Sequence, residues 1–327
     1  MAVKIGINGF GRIGRYLTRL LAGESGLELV AVNARASNKD LAHLLKYDSV
    51  HGRFPGVEAN DQGFTLDGKQ VLVTRDAPGE WKWGEMGCEV VVESTGKFTD
   101  RASCEKHLAC GAKRVVVSAP AKDPDATIVI GVNDADLNAG QKIVSNASCT
   151  TNCLAPVAKV LHDNFGIKHG IMTTVHSYTM SQRILDGSHK DIRRARACAV
   201  NMVPTTTGAA KAVSLVIPAL KGKLDGMAIR VPTPNVSLVD LVCELETSTT
   251  AEAVNAVLKA AANESMGYTE EPLVSTDFMG STFGGVVDSQ LTRVMGDTQV
   301  KCIIWYDNEA GFTNQLLRLV RKVAALG

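Results

Sequence analysis

The chain opens on an alternating segment, residues 3–7, that runs into Asn8-Gly9-Phe10-Gly11-Arg12-Ile13-Gly14. Ile13, Leu17, Leu20 and Leu21 follow at helical spacing, so strand, glycine turn and helix come in that order. Residues 27–32 form a short apolar run rich in β-branched side chains. Residues 71–73, 89–92 and 113–117 read the same way, with a helical stretch at 102–109. Strands alternating with helices predict an α/β unit on a mostly parallel sheet with right-handed crossovers. That pattern ends near residues 142–148. Longer strand-like runs follow at 170–176, 227–231, 237–245 and 300–306, with a helix predicted over 250–262. They predict a second, α+β domain on a mostly antiparallel mixed sheet. A last helix, 312–325, carries Leu316, Leu317, Leu319, Val320 and Val323. The expected division is 1–147 and 148–311, with 312–327 packing back on the first domain.

Length agrees with two cores, since 327 residues exceed one ordinary domain. A formal net charge of +1 without long single-sign runs argues against nucleic acid or an anionic membrane as the main ligand. No run approaches the roughly 20 apolar residues of a membrane span, and no secretory layout is seen, so a cytoplasmic location is expected. Eight cysteines are scattered through the chain. They form neither a secreted disulfide framework nor a zinc pattern, so no metal is expected and most should be buried thiols.

Three places carry candidate chemistry. At the first, Gly9, Gly11 and Gly14 lie between a strand and a helix. There the first glycine permits a tight turn and the second lets backbone approach a pyrophosphate. The second strand then ends at Asn33-Ala34-Arg35-Ala36-Ser37, without the carboxylate that would accept hydrogen bonds from a ribose diol. By charge, this end should tolerate the 2′-phosphate of NADP as well as NAD. At the second, Cys149 in Ser145-Asn146-Ala147-Ser148-Cys149-Thr150-Thr151-Asn152 stands at the start of a helix that runs to Gly166. The helix dipole and unpaired N–H groups favour a thiolate there. Cys153, one turn on, reads as a packing thiol, with trapping of an oxidised Cys149 as a secondary possibility. The third is His176, closing a strand-like run before Ser177-Tyr178-Thr179 and serving as the candidate base. His189 reads as a loop or interface residue.

At these residues the chain resembles the phosphorylating glyceraldehyde-3-phosphate dehydrogenase family over essentially its whole length. The resemblance rests on INGFGRIGR, HLLKYDSVHG, SNASCTTNCLAP, HSYT, PTTTGAAKAV, RVPTPNVS and WYDNE. It implies a Rossmann NAD(P) domain, a catalytic domain, and a homotetramer in which a loop near 178–201 lines a neighbour's cofactor site. It also implies attack by Cys149 on the aldehyde, proton removal by His176, and release of the thioester by inorganic phosphate. By the same resemblance Thr179 and Arg230 hold the substrate phosphate, Ser148, Thr150, Thr207 and Gly208 the attacking one, and Arg194 serves both. Cofactor positions that the resemblance carries over are Gly9, Phe10, Gly11, Arg12, Ile13, Thr95, Ser118 and Asn308; the strand end adds Asn33, Ala34 and Arg35, and Arg75 and Ser188 complete the expected set. NAD-specific members carry aspartate where this chain has Ala34, and often proline at Ser188. Photosynthetic NADP-using relatives resemble this chain at Ser188. The sister enzyme acting on erythrose 4-phosphate departs after the histidine, whereas Ser177-Tyr178-Thr179 is intact here. A non-catalytic RNA-binding or redox-sensing role fits poorly with a neutral chain that carries the whole catalytic set.

Overall fold

The protein is described here by a computed structural model covering residues 2–327. It divides into two compact units. One comprises the chain up to Ile128 with Asp134–Ala147 and Thr313–Gly327; the other comprises Val129–Asn133 and Ser148–Phe312.

The first unit is built on a nine-stranded sheet. Val3–Asn8 lies at its centre, pairing in parallel with Leu27–Asn33 on one side and Val90–Glu93 on the other. Arg114–Val117, Ile143–Ser145 and Ala126–Thr127 extend the Val90–Glu93 side in parallel. Lys69–Thr74 extends the other, also in parallel, before Gly63–Leu66 and Val57–Asn60 add an antiparallel edge. Val90 to Val92 and Val115 to Val117 are almost wholly buried, which is why they read as unbroken apolar runs: both faces of a parallel sheet are covered. The chain leaves the central strand first to one side and later to the other. A crevice therefore opens at the carboxyl ends of the strands, where this architecture binds ligands. Within this unit the part of the final helix, Ala310–Ala324, that follows Phe312 buries Leu316, Leu317, Leu319, Val320 and Val323, and Arg321 pairs with Glu24.

The second unit carries a seven-stranded mixed sheet. Its order is Val203–Thr206, Leu224–Val231, Ile167–Ser177, Ser237–Leu245, Gln299–Tyr306, Gly285–Met295 and Met266–Thr269. Four of its neighbouring pairs are antiparallel and two parallel. Ser237–Leu245 alternates buried and half-buried positions along its whole length, as a strand with one covered face should. The helix Cys149–Phe165 covers that face with Leu154, Val157, Ala158 and Leu161, all fully buried.

Candidate active site

In the first unit, the three glycines of the turn serve three different purposes. Gly9 has φ +98°, and a Cβ there would lie 2.7 Å from the backbone N of Thr95. A Cβ on Gly14 would lie 2.3 Å from the carbonyl of Gly9, so this glycine lets helix and strand pack closely. A Cβ on Gly11 would meet nothing, because it faces open space. Gly11 is also the N-cap of the helix Arg12–Ala22 and offers no side-chain cap, and a helix N-terminus of this kind suits an anion. The cleft beside it, about 580 Å³, is lined by Gly9, Phe10, Gly11, Asn33, Ala34, Arg35, Arg75 and Thr95 of the expected set. A dinucleotide fits this cradle.

Five expected cofactor residues stand apart from that lining. Arg12 pairs with Asp48 through both guanidinium nitrogens, and Ile13 turns into the helix. Ser118 follows the strand Arg114–Val117 and lies outside the cleft lining, and Ser188 and Asn308 belong to the second unit. There Asn308 is buried, its Oδ1 accepting from Ser237 Oγ at 2.9 Å. Arg75 is partly committed, donating at 2.7 Å to both the Ala36 carbonyl and Asn38 Oδ1. The cleft also uses Asn8, Leu44, Asp76, Trp81, Lys97 and Phe98, which sequence reasoning missed. Asn8 alone carried a signal, being the polar residue that ends an apolar strand just before the glycine turn.

In the second unit, Ser148 caps the helix Cys149–Phe165, its Oγ accepting from the Thr151 N–H at 3.1 Å. The preceding Ala147 has φ +55°, a left-handed conformation that an alanine adopts only under constraint from its surroundings. Cys149 is thus the first helical residue. Its Sγ lies 3.6 Å from His176 Nε2, brought there by the strand Ile167–Ser177. His176 Nδ1 lies 2.7 Å from the Ser177 carbonyl. Nδ1 thus lies between an acceptor, this carbonyl, and a donor, Arg230 Nη1 at 2.8 Å, while Nε2 is the nitrogen that faces the sulfur.

Electrostatics refine the expectation of a ready-made thiolate. Burial pushes the Cys149 thiol up, against the charge of Arg230 and hydrogen bonds from Thr150 and backbone. Burial, then Arg230, press His176 down to about 3, with the Ser177 hydrogen bond opposing. Thiol and imidazole therefore face one another as a neutral pair, and negative charge developing nearby would restore the basicity of the histidine. Cys153 is fully buried with Sγ 3.7 Å from the Ile304 carbonyl, and its thiol is pushed well above the usual range.

Arg230 stands beside this pair. Its Nη1 lies 2.8 Å from His176 Nδ1, donates to the Ser177 carbonyl at 3.0 Å and reaches Thr179 Oγ1 at 3.5 Å. Its Nε is buried without a hydrogen-bond partner, an opening for an anion. Arg194, held by Thr205 Oγ1 at 2.8 Å, adds its charge to the field at His176. The other expected phosphate contacts also have partners within the protein. Thr150 Oγ1 is 2.9 Å from Tyr306 Oη, Ser148 Oγ serves its own helix, and Thr207 Oγ1 accepts from the Ala209 N–H. Gly208 caps the helix Ala209–Val216.

A dinucleotide cradle at the end of a parallel sheet, and a cysteine–histidine pair flanked by arginines, are features of a nicotinamide-dependent dehydrogenase. Residues 3–101 match the model of the glyceraldehyde 3-phosphate dehydrogenase NAD-binding domain, and residues 148–308 match that of its C-terminal domain. The chain is 55% identical to glyceraldehyde-3-phosphate dehydrogenase of Geobacillus stearothermophilus and to glyceraldehyde-3-phosphate dehydrogenase 1 of Bacillus subtilis, with all of each chain covered. It is 51% identical to the Mycobacterium tuberculosis glyceraldehyde-3-phosphate dehydrogenase, over 99% of each chain. The chain belongs to the glyceraldehyde-3-phosphate dehydrogenase family.

Proposed function

We propose that this protein oxidises glyceraldehyde 3-phosphate, with inorganic phosphate, to 1,3-bisphosphoglycerate. The observation that carries the reading is the 3.6 Å approach of Cys149 Sγ to His176 Nε2 at a helix N-terminus beside Arg230. Arg230 and Thr179 hold the substrate phosphate, so the aldehyde carbon is presented to the sulfur. A bond forms between Sγ and that carbon as the thiol proton passes to His176 and on to the aldehyde oxygen. His176 then withdraws the hydroxyl proton of this hemithioacetal, which makes loss of hydride from carbon favourable. Bound nicotinamide supplies the two-electron acceptor. The Cys149 thioester that remains retains enough energy for attack by a phosphate oxygen, which breaks the carbon–sulfur bond and returns the thiol. Arg194, Ser148, Thr150, Thr207 and Gly208 are the groups offered to that second anion.

Cofactor use follows from the ribose end of the cleft. With Ala34 in place of a carboxylate and Arg35 lining the same wall, both NAD and NADP are accepted. Homotetrameric assembly is supported by the apolar side chains displayed between 178 and 202: Met180, Ile184, Leu185, Ile192, Val200 and Met202 are each at least 75% exposed in the single chain. No helix among the described residues is long and apolar enough to cross a membrane, in keeping with a cytoplasmic enzyme.

Steady-state turnover of glyceraldehyde 3-phosphate against erythrose 4-phosphate tests the substrate. The triose should be strongly preferred in kcat/KM, and a preference for the tetrose would overturn this assignment.

A further inference from the structure

Beneath the dinucleotide cleft lies a buried polar network that the reaction does not use. Glu93, at the end of the strand Val90–Glu93, is 1% exposed. Its Oε1 accepts from the Thr95 N–H at 2.7 Å and from Thr95 Oγ1. Its Oε2 accepts from Asn8 Nδ2 at 2.6 Å and lies 3.2 Å from His107 Nε2. The histidine's tautomer is fixed from the far side, because Trp83 Nε1–H can only donate and lies 3.0 Å from His107 Nδ1. His107 Nε2 therefore carries the proton and donates to Glu93, so all four neighbours of the carboxyl are donors. His107 is fully buried, and Trp81, which lines the cleft, stacks on its ring at 3.9 Å between centroids.

The network continues toward the ribose end. With its amide nitrogen committed to Glu93, Asn8 must present Oδ1 to Asn33 Nδ2, at 2.9 Å. That in turn aims Asn33 Oδ1 at the Asp76 N–H, at 2.9 Å, and at Thr74 Oγ1, at 3.0 Å. Asn8, Asn33, Asp76 and Thr95 all line the cleft, and they stand at the carboxyl ends of neighbouring parallel strands. One buried carboxyl thus dictates which way each amide points across the cradle.

We infer that Glu93, held by a His107 whose tautomer Trp83 fixes, is a positioning residue for dinucleotide binding. It orients Asn8 and Asn33 and holds Thr95 without touching the ligand. The inference rests on the cleft being the dinucleotide site, and the unsubstituted protein controls for that. Glu93→Gln keeps an acceptor toward Thr95 but turns an amide donor against two donors, Asn8 Nδ2 and His107 Nε2. NAD and NADP binding should be measured by titration calorimetry on the full chain, alongside melting temperature and the rate of Cys149 alkylation by iodoacetamide without cofactor. The substitution should weaken both dinucleotides by about tenfold or more, leave the alkylation rate unchanged, and raise the cofactor KM more than it lowers kcat. Adding Asn8→Asp supplies an acceptor opposite the new amide and should recover part of the affinity. If Glu93→Gln does not fold, His107→Phe keeps a ring beneath Trp81 while removing one donor, and should weaken binding in the same sense by less. Unchanged dinucleotide affinity in a folded Glu93→Gln or His107→Phe protein, even with a lowered melting temperature, would make the network merely structural and overturn the inference. Failure of the unsubstituted protein to bind either dinucleotide would overturn the reading of the cleft itself.

Discussion

Cys149 and His176 face each other as neutral groups, and that has consequences for pH. In the unfolded chain His176 takes a proton near its ordinary value of 6.5, whereas in the folded protein it does so only near 3. Between those values the unfolded state binds more protons, so the histidine makes stability rise with pH through this window and fall on acidification. His176→Asn should therefore flatten the slope of stability against pH between 6.5 and 4, by on the order of 1.4 kcal/mol per pH unit at most. Urea unfolding at a series of pH values reads this directly, and an unaltered slope would mean the histidine is not held neutral. Arg230 makes a second prediction at the same scale. Arg230→Ala should weaken the phosphorylated aldehyde far more than an unphosphorylated analogue, by about 1.5–3 kcal/mol in kcat/KM. Equal losses on the two substrates would assign the arginine a structural role. Cys149 and His176 were picked out from the sequence by a cysteine at a helix start and a histidine at a strand end, whereas Arg230 came only from the family resemblance; the structure brings the three side chains together. What the sequence did not reveal is the sign of the thiol's shift, since burial by distant segments outweighs the favourable helix terminus beside it.

At the scale of elements, the proposed use of both cofactors rests on the end of the strand Leu27–Asn33. Ala34 lines the cleft, and its backbone N–H is tied to the Thr74 carbonyl at 3.0 Å, so a new side chain there would be held at the ribose. Ala34→Asp should supply an acceptor for the ribose diol and repel a 2′-phosphate, shifting preference toward NAD by roughly 2–4 kcal/mol. Measurement of kcat/KM with both cofactors checks it; an unchanged ratio would refute this reading of the strand end. Elements with unbroken or strictly alternating apolar runs, such as Val90–Glu93 and Ser237–Leu245, were legible from pattern alone. Val57–Asn60, Gly63–Leu66, Val203–Thr206 and Met266–Thr269 were not. Each is four residues long and is interrupted by glycine, proline or polar residues, and each lies at or beside a sheet edge, where partners rather than periodicity define a strand. Gly285–Met295 escaped notice for another reason: its pairing breaks register between Asp288 and Arg293, so its alternation does too.

For the whole molecule, the exposed apolar side chains between 178 and 202 call for a partner, and a second copy of the chain is the occupant the family relationship favours. Sedimentation should show a tetramer. Leu185→Asp, placing a charge on a side chain 77% exposed in the single chain, should shift assembly toward smaller species. A monomeric parent protein would refute this. The division into two units carries the central claim, because one offers a dinucleotide cradle and the other a cysteine–histidine pair whose proposed chemistry needs an electron acceptor. That claim is tested most directly by catching the intermediate. The protein is mixed with glyceraldehyde 3-phosphate and NAD or NADP in the absence of inorganic phosphate, quenched in acid, and its peptides are weighed by mass spectrometry. The account predicts one equivalent of reduced cofactor per site in a burst, with the 3-phosphoglyceryl group in thioester linkage on the peptide that contains Cys149. Reduced cofactor formed without acylation of Cys149, or an acyl group on any other residue, would contradict it.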